Sequence, residues 1–216
     1  MDKSFDIFFF DLDGTLTESS LGITNSVIYA LKKFGIEETD RTKLYSFIGP
    51  PLTDSFEKFC GFTKEQCAEA VRYYREYYRE KGIFENHVYD GMEEVLKELK
   101  RRGKTLVVAT SKPEPFARQI IEHFGLDPYF DYVAGMELSG GRGTKEEVIR
   151  YALCACKIAD KSKVLMVGDR EHDVFGAHAA GMECLGILYG FGTREELVSA
   201  GADYIGETVE GILRFS

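Results

Sequence analysis

An apolar segment near the N-terminus ends in two carboxylates at positions i and i+2, in the order Phe8-Phe9-Phe10-Asp11-Leu12-Asp13-Gly14-Thr15-Leu16-Thr17. The apolar part predicts a buried strand, and open α/β folds place their ligands at the carboxyl edge of the sheet. Asp11 and Asp13 are therefore expected to face a site. Two carboxylates beside an apolar core repel each other and lose hydration, and a hard divalent cation is the usual solution. The segment thus predicts a Mg²⁺ site.

Helix and strand patterns alternate from about residue 85 onward. Predicted strands cover Thr105–Ala109, Tyr132–Ala134, Val164–Val167 and Cys184–Leu188, and predicted helices cover Met92–Arg102, Pro115–Phe124, Thr144–Cys154, Asp173–Ala180 and two later segments. Such alternation is typical of a parallel sheet with helices on both faces. We therefore predict an α/β fold with a doubly wound, Rossmann-like core formed by residues 1–16 and 85–216.

Residues 17–84 carry a helical pattern and no strand signal. Apolar residues recur at three- and four-residue spacing before Gly35, from Leu52 to Phe59, and between Thr63 and Lys81. Gly49-Pro50-Pro51 predicts a turn, and a proline is suited to open the helix that follows. This stretch is predicted to be a helical insertion in the core.

The composition narrows the classes of function. A formal net charge of −9 argues against a nucleic-acid-binding surface. No apolar run approaches the roughly 18 residues that a membrane span needs, and the N-terminus shows no signal-peptide pattern, so a cytoplasmic protein is expected. The five cysteines include no C-x-x-C pair, which argues against a zinc site or a disulfide framework.

Further polar residues fall where predicted strands end. Thr110 and Ser111 follow one strand and precede a helix, where hydroxyl groups and a helix N-terminus suit phosphate oxygens; an N-cap role is the equal alternative. Asp169 ends another strand and is placed to complete a metal site with Asp11. Asp173 either contacts the metal shell, directly or through water, or serves as the N-cap of the next helix.

Lys145 lies in the first turn of a predicted helix, where the helix dipole does not favour a cation. An anionic site beside the ammonium group would explain this position. A surface lysine offset by Glu146 and Glu147 is the alternative.

Together these residues resemble the haloacid dehalogenase superfamily of phosphotransferases. Its four motifs are matched in order by Asp11-x-Asp13-Gly-Thr, Thr110, Lys145 and Gly168-Asp169-x-x-x-Asp173. The match covers nearly the whole chain. The resemblance implies that residues 17–84 form the small helical cap inserted after the first motif, which closes over the site.

The resemblance also implies a mechanism. Asp11 would attack a phosphate monoester and form an aspartyl-phosphate, and Asp13 would protonate the leaving oxygen and then activate water. Mg²⁺ would be held by Asp11, the backbone carbonyl of Asp13 and Asp169, with Asp173 directly or through water. The phosphate oxygens would be held by Thr110, Ser111 and Lys145.

Within the superfamily, the chain looks most like the phosphoglycolate phosphatase-like branch, because Thr15, Thr17 and Glu18-Ser19 follow the aspartates. That branch also covers nucleotidases, so a small phosphorylated metabolite is expected and its leaving group stays open. On the cap, Gly49, Arg75 and Tyr78 are candidates for substrate contacts. Packed tyrosines and a solvated arginine are the alternative for that helix.

Two other functions stay open at this point. A β-phosphoglucomutase-like phosphomutase would use the same aspartates and return the phosphoryl group to substrate. A phosphate-sensing regulatory protein would be phosphorylated and hardly turn over, but the ready acid/base Asp13 argues against it. The oligomeric state is left open.

Overall fold

The structure is a computed structural model that describes residues 3–138 and 141–216. It separates into two compact units. One unit holds the chain up to Thr17 and from Val88 onward, and the other is Glu18–His87.

The strands are β1 (Ile7–Phe10), β2 (Thr17–Glu18), β3 (His87–Val88), β4 (Thr105–Pro113), β5 (Tyr132–Met136), β6 (Val164–Gly168), β7 (Glu183–Ile187) and β8 (Tyr204–Gly206). The α-helices are α1 (Ser20–Lys33), α2 (Leu52–Cys60), α3 (Lys64–Glu80), α4 (Met92–Arg101), α5 (Glu114–His123), α6 (Lys145–Ala155), α7 (Glu171–Ala180) and α8 (Arg194–Ala200). Short 3₁₀ segments cover Arg41–Phe47, Gly82–Phe84, Asp127–Tyr129, Lys161–Lys163 and Glu210–Phe215.

The larger unit contains a six-stranded sheet in the order β5-β4-β1-β6-β7-β8, and each neighbouring pair is parallel. In the centre, Phe9 pairs with Val107 on one side and with Met166 on the other. All three side chains are fully buried, as expected for strands covered on both faces. The predicted doubly wound α/β fold is confirmed. Its parallel order brings the carboxyl ends of β1, β4 and β6 to one edge.

Four strands differ from the prediction. β4 does not stop at Ala109 but continues to Pro113, with a register shift after Thr110, so Thr110 lies inside the strand. β8 is not among the predicted strands; it is a three-residue edge strand paired with β7, too short to show a period-two pattern. β2 and β3 have two residues each, and neither is among the predicted strands.

The smaller unit is formed by α1, α2, α3 and two 3₁₀ segments. Gly61 ends α2 in a left-handed conformation, with φ of 66°, which glycine adopts without a steric penalty. Thr63 begins α3 with a capping box to Gln66. Gly22 of α1 lies so close to the Gly82 carbonyl oxygen that a Cβ atom would overlap it. Among the described residues, none of the helices has the length and apolarity to cross a membrane.

Candidate active site

Asp11 and Asp13 follow β1 at the centre of the carboxyl edge. The Asp11 amide donates to the Val167 carbonyl at 2.9 Å and so extends the pairing with β6 by one residue. The chain then turns at Gly14, whose φ of 85° favours glycine. The amides of Thr15, Leu16 and Thr17 all donate to the Leu12 carbonyl. This tight turn holds Asp11 and Asp13 at the edge of the sheet.

Lys145 reaches this edge from the first turn of α6. Its Nζ lies 2.8 Å from Asp11 Oδ1 and 2.8 Å from Asp173 Oδ1, and it donates to the Ala109 carbonyl at 3.1 Å. A Cβ atom on Gly176 would lie 2.7 Å from Lys145 Cγ, so a small residue on α7 leaves room for this side chain. Burial lowers the pKa of Lys145, but attraction by Asp11 and Asp173 outweighs it and the net pKa is raised. The predicted anionic neighbours of Lys145 are therefore present.

Asp169 and Asp173 come from the end of β6 and the start of α7. Asp169 is fully buried, and its Oδ2 accepts from the Phe191 amide at 2.8 Å. Asp173 Oδ2 accepts from the Arg170 amide at 3.1 Å. The N-cap alternative for Asp173 is wrong, since Arg170 occupies the N-cap and Asp173 is the third helical residue of a capping box. Gly168 is needed because a Cβ atom there would overlap the Asp173 carboxyl group.

Oxygen atoms of Asp11, Asp169 and Asp173 lie within 4.8 Å of one another. Lys145 supplies one positive charge against these three carboxylates, which leaves an excess of two negative charges. Burial is the main cause that raises the pKa of Asp169, followed by repulsion from Asp173 and Asp11. Burial likewise raises the pKa of Asp11, although Lys145 opposes this shift. A buried, all-oxygen set with this charge excess fits a hard divalent cation such as Mg²⁺.

Lys112 is a site residue that the sequence analysis did not identify. Its Nζ lies 2.6 Å from each carboxylate oxygen of Asp13, and the whole residue is 8% exposed. The Asp13 side chain therefore pairs with Lys112 and not with Lys145. The signal was its place two residues after Thr110 in the segment Thr110-Ser111-Lys112-Pro113, because alternate residues of an extended segment share one side.

The predicted phosphate-binding residues Thr110 and Ser111 lie on β4. Thr110 is buried, its Oγ1 accepts from the Lys112 amide at 3.1 Å, and a hydrogen bond from its side chain acts to lower the pKa of Asp11. Ser111 is half-buried next to it. Their phosphate-binding roles stay predictions.

Gly49, Arg75 and Tyr78 lie in the smaller unit. Gly49 is in a turn with φ of 102°, and Arg75 is half-buried on α3. Tyr78 is buried, with its ring stacked on Tyr74 at a centroid distance of 5.4 Å. This packing matches the alternative considered for the tyrosines of that helix, and the substrate-contact role of the three residues stays a prediction.

The amino-acid sequence is similar to that of several known proteins. A family model for haloacid dehalogenase-like hydrolases matches residues 8–187. The 5'-nucleotidase of Pseudomonas aeruginosa is 50% identical over 188 residues, which are 87% of this chain and 85% of that protein. The tyrosine-protein kinase PtkA of Mycobacterium tuberculosis is 37% identical over 199 residues, covering 92% of this chain and 65% of PtkA. A phosphoglycolate phosphatase of Haemophilus influenzae is 28% identical, with 95% of each chain covered.

The fold is also similar to that of a solved phosphatase structure. The crystal structure of a predicted phosphatase from Clostridium acetobutylicum has a TM-score of 0.94 and 48% sequence identity, and 98% of each chain is covered. The resemblance inferred from the motifs is thus confirmed over most of the chain. The chain therefore belongs to the haloacid dehalogenase-like hydrolase family and is a phosphoric monoester hydrolase.

Proposed function

We propose that the protein is a Mg²⁺-dependent phosphatase that hydrolyses a small phosphate monoester through an aspartyl-phosphate on Asp11. The observation that supports this most is the arrangement of charges around Asp11. Its carboxylate shares Lys145 with Asp173, while Asp13, two residues on, has its own cation in Lys112. The nucleophile and the acid/base thus have separate electrostatic partners, as two different chemical roles require.

In the first step, a carboxylate oxygen of Asp11 forms a bond to phosphorus as the bond between phosphorus and the leaving oxygen breaks. Asp13 in its protonated form gives that proton to the leaving oxygen, and the second step returns it. Lys145 and Thr110 lie beside Asp11, where they can donate to the transferring phosphoryl oxygens. In the second step, Asp13 takes a proton from water, which attacks phosphorus and releases Asp11 and inorganic phosphate.

Asp11, Asp169 and the backbone carbonyl of Asp13 would hold the metal ion, with Asp173 directly or through water. When bound, Mg²⁺ supplies positive charge between the nucleophile and the phosphate. The two excess negative charges of the cluster support a divalent ion at this position. Apart from the metal ion, catalysis depends on side chains that β1, β4, α6 and α7 already orient. This suits a reaction that depends on positioning and electrostatic stabilisation.

A nucleoside 5'-monophosphate is the first candidate substrate, and phosphoglycolate is the second. The relative named 5'-nucleotidase is 50% identical to this chain, whereas the phosphoglycolate phosphatase is 28% identical. Both proteins are named for small phosphate monoesters. This ordering concerns the leaving group alone, since the chemistry at phosphorus is the same for both.

The test is phosphate release from metal-free protein with and without added Mg²⁺, on nucleoside 5'-monophosphates, phosphoglycolate, sugar phosphates and p-nitrophenyl phosphate. We expect release that EDTA abolishes and that Asp11→Asn lowers by about 10⁴-fold or more. Asp6→Asn is the matched control, because Asp6 is a surface carboxylate paired with Lys104 at 3.5 Å in the same unit. Acid-quenched protein should carry phosphate on the peptide that contains Asp11.

Two outcomes would contradict the proposal. Undiminished release by Asp11→Asn would exclude this residue as the nucleophile. Turnover of a sugar phosphate only in the presence of a sugar bisphosphate, with no net phosphate release, would identify a phosphomutase instead.

A further inference from the structure

The loop that follows β7, Tyr189–Gly192, packs directly against Asp169. The Phe191 amide donates to Asp169 Oδ2 at 2.8 Å. A Cβ atom on Gly192 would overlap the Asp169 carbonyl oxygen, and one on Gly190 would overlap the Gly14 carbonyl oxygen. The loop backbone therefore lies as close to Asp169 and to the turn after Asp13 as glycines allow. Motion of this loop must move the Asp169 carboxylate or break its hydrogen bond.

The same loop contacts both segments that connect the larger unit to the helical insertion. The Tyr189 hydroxyl donates to the Thr15 carbonyl at 3.2 Å, just before the chain leaves through β2. The Tyr189 ring packs edge-on against Tyr89, which follows β3 on the returning segment, at a centroid distance of 5.0 Å and an angle of 69°. The Tyr89 amide in turn donates to the Leu16 carbonyl at 3.2 Å. Tyr189 thus holds the outgoing and the returning segment together.

We infer that Tyr189 is a positioning residue that couples these two connecting segments to the metal ligand Asp169. Tyr189 fixes the segments through its hydroxyl and its ring, and Phe191, two residues along the same loop, fixes Asp169 through its amide. Partners that orient a metal ligand are known to change metal affinity as well as activity. This inference rests on the proposed function in one respect, the assignment of Asp169 as a Mg²⁺ ligand.

The chemistry of the hydroxyl suits this role. A tyrosine hydroxyl is protonated throughout the neutral range, so it keeps its donor for the Thr15 carbonyl. Phenylalanine in its place would keep the ring contact with Tyr89 and remove only the donor.

The test compares Tyr189→Phe with Tyr204→Phe in the full-length, metal-free protein. Tyr204 is a matched control, because its hydroxyl also donates one hydrogen bond, to Glu183 Oε2 at 2.7 Å, but lies on edge strand β8. Calorimetric titration with Mg²⁺ should give a dissociation constant about 10-fold higher for Tyr189→Phe and an unchanged one for Tyr204→Phe. At saturating Mg²⁺, kcat should return toward the wild-type value.

A second measurement does not depend on metal binding. Amide hydrogen exchange at Phe191 and Tyr89 in the metal-free protein should become faster in Tyr189→Phe and not in Tyr204→Phe. Equal exchange and equal Mg²⁺ affinity in the two variants would overturn the inference. A wild-type protein that binds no Mg²⁺ would instead count against the proposed function, and the exchange data would still decide the role of Tyr189.

Discussion

Lys112 Nζ lies 2.6 Å from both carboxylate oxygens of Asp13. This pair divides the charges of the site into two sets. Asp13 and Lys112 neutralise each other, whereas Asp11, Asp169 and Asp173 share the single charge of Lys145. Substitutions in the two sets should therefore have different effects on stability, and Mg²⁺ should stabilise chiefly the set that contains Asp11, Asp169 and Asp173.

Lys112→Met should lower both stability and activity, because it leaves the Asp13 carboxylate in a mostly buried place without its cation. Breaking a buried pair on one side costs about 3 kcal/mol, and a loss of kcat near 100-fold corresponds to a similar free energy. Urea unfolding and initial rates measure the two effects. Lys104→Met, at a more exposed ion pair with Asp6, is the control.

The double variant Lys112→Met/Asp13→Asn should recover part of the stability that Lys112→Met loses. Asparagine carries no charge, so it removes the unpaired carboxylate rather than leaving it buried. The measurement is the coupling free energy from the double-mutant cycle, with an expected size of about 1–3 kcal/mol. Additive effects of the two changes would argue that the pair does not interact.

Lys145→Met should destabilise the metal-free protein more than any single carboxylate substitution at the site. It leaves three buried carboxylates with no cation among them, and we expect a loss of about 3–5 kcal/mol, equivalent to a Tm lower by roughly 10 °C. Saturating Mg²⁺ should restore part of this loss. The result is read from thermal unfolding in EDTA and in Mg²⁺, and an unchanged Tm in EDTA would contradict the described charge balance.

Asp169→Asn should raise the Tm of the metal-free protein by about 2–6 °C, because it removes one of the like charges. It should also abolish the stabilisation by Mg²⁺, which in the wild type is expected to reach about 5–10 °C at a concentration 100 times Kd. Thermal unfolding with and without Mg²⁺ measures both effects. Asp127→Asn, on a surface 3₁₀ segment, should change neither.

The contribution of Asp11 and Asp169 to the stability of the metal-free protein should fall as the pH rises from about 4 toward neutrality. Asp11 and Asp169 have pKa values above the ordinary 3.8, chiefly because they are buried. The folded state therefore keeps protons that the unfolded chain has released, so their contribution is fully present below the unfolded pKa and is lost as the pH passes the folded pKa. The stability difference between wild type and Asp169→Asn, measured by urea unfolding across this range in EDTA, should grow with pH. A stability difference that stays constant with pH would contradict the raised pKa of Asp169.

Most of the fold could be predicted from local patterns. The apolar run before Asp11, the alternation after residue 85 and the helical spacing of the insertion are properties of neighbouring residues, and hydrophobic periodicity reports them directly. Gly61 at the end of α2 and Thr63 at the start of α3 are residue types that favour those positions. The short strands β2, β3 and β8 were not predicted, because two or three residues carry no period and only pairing with a neighbouring strand defines them.

In the candidate site, too, some features could be predicted from the sequence and others could not. The acids at the strand ends predicted a metal site, since the ends of parallel strands meet at one edge. The resemblance of Asp11, Asp13, Lys145, Asp169 and Asp173 to the family motifs implied phosphoryl-transfer chemistry. Which cation pairs with which carboxylate could not be predicted from their order. Lys112 and Asp13 lie 99 residues apart in the chain, and Phe191 and Asp169 lie 22 apart.

These partnerships depend on distances that only the packed chain sets. The continuation of β4 past Ala109 brings Lys112 to Asp13, and glycines at 168, 176, 190 and 192 let backbone and side chains approach where a Cβ atom would not fit. The amino-acid sequence specified the elements and the chemical groups at their ends, because those follow from local propensity and from strand order. The tertiary structure decided the pairing of charges and the place of Tyr189, because both result from close packing between segments distant in the chain.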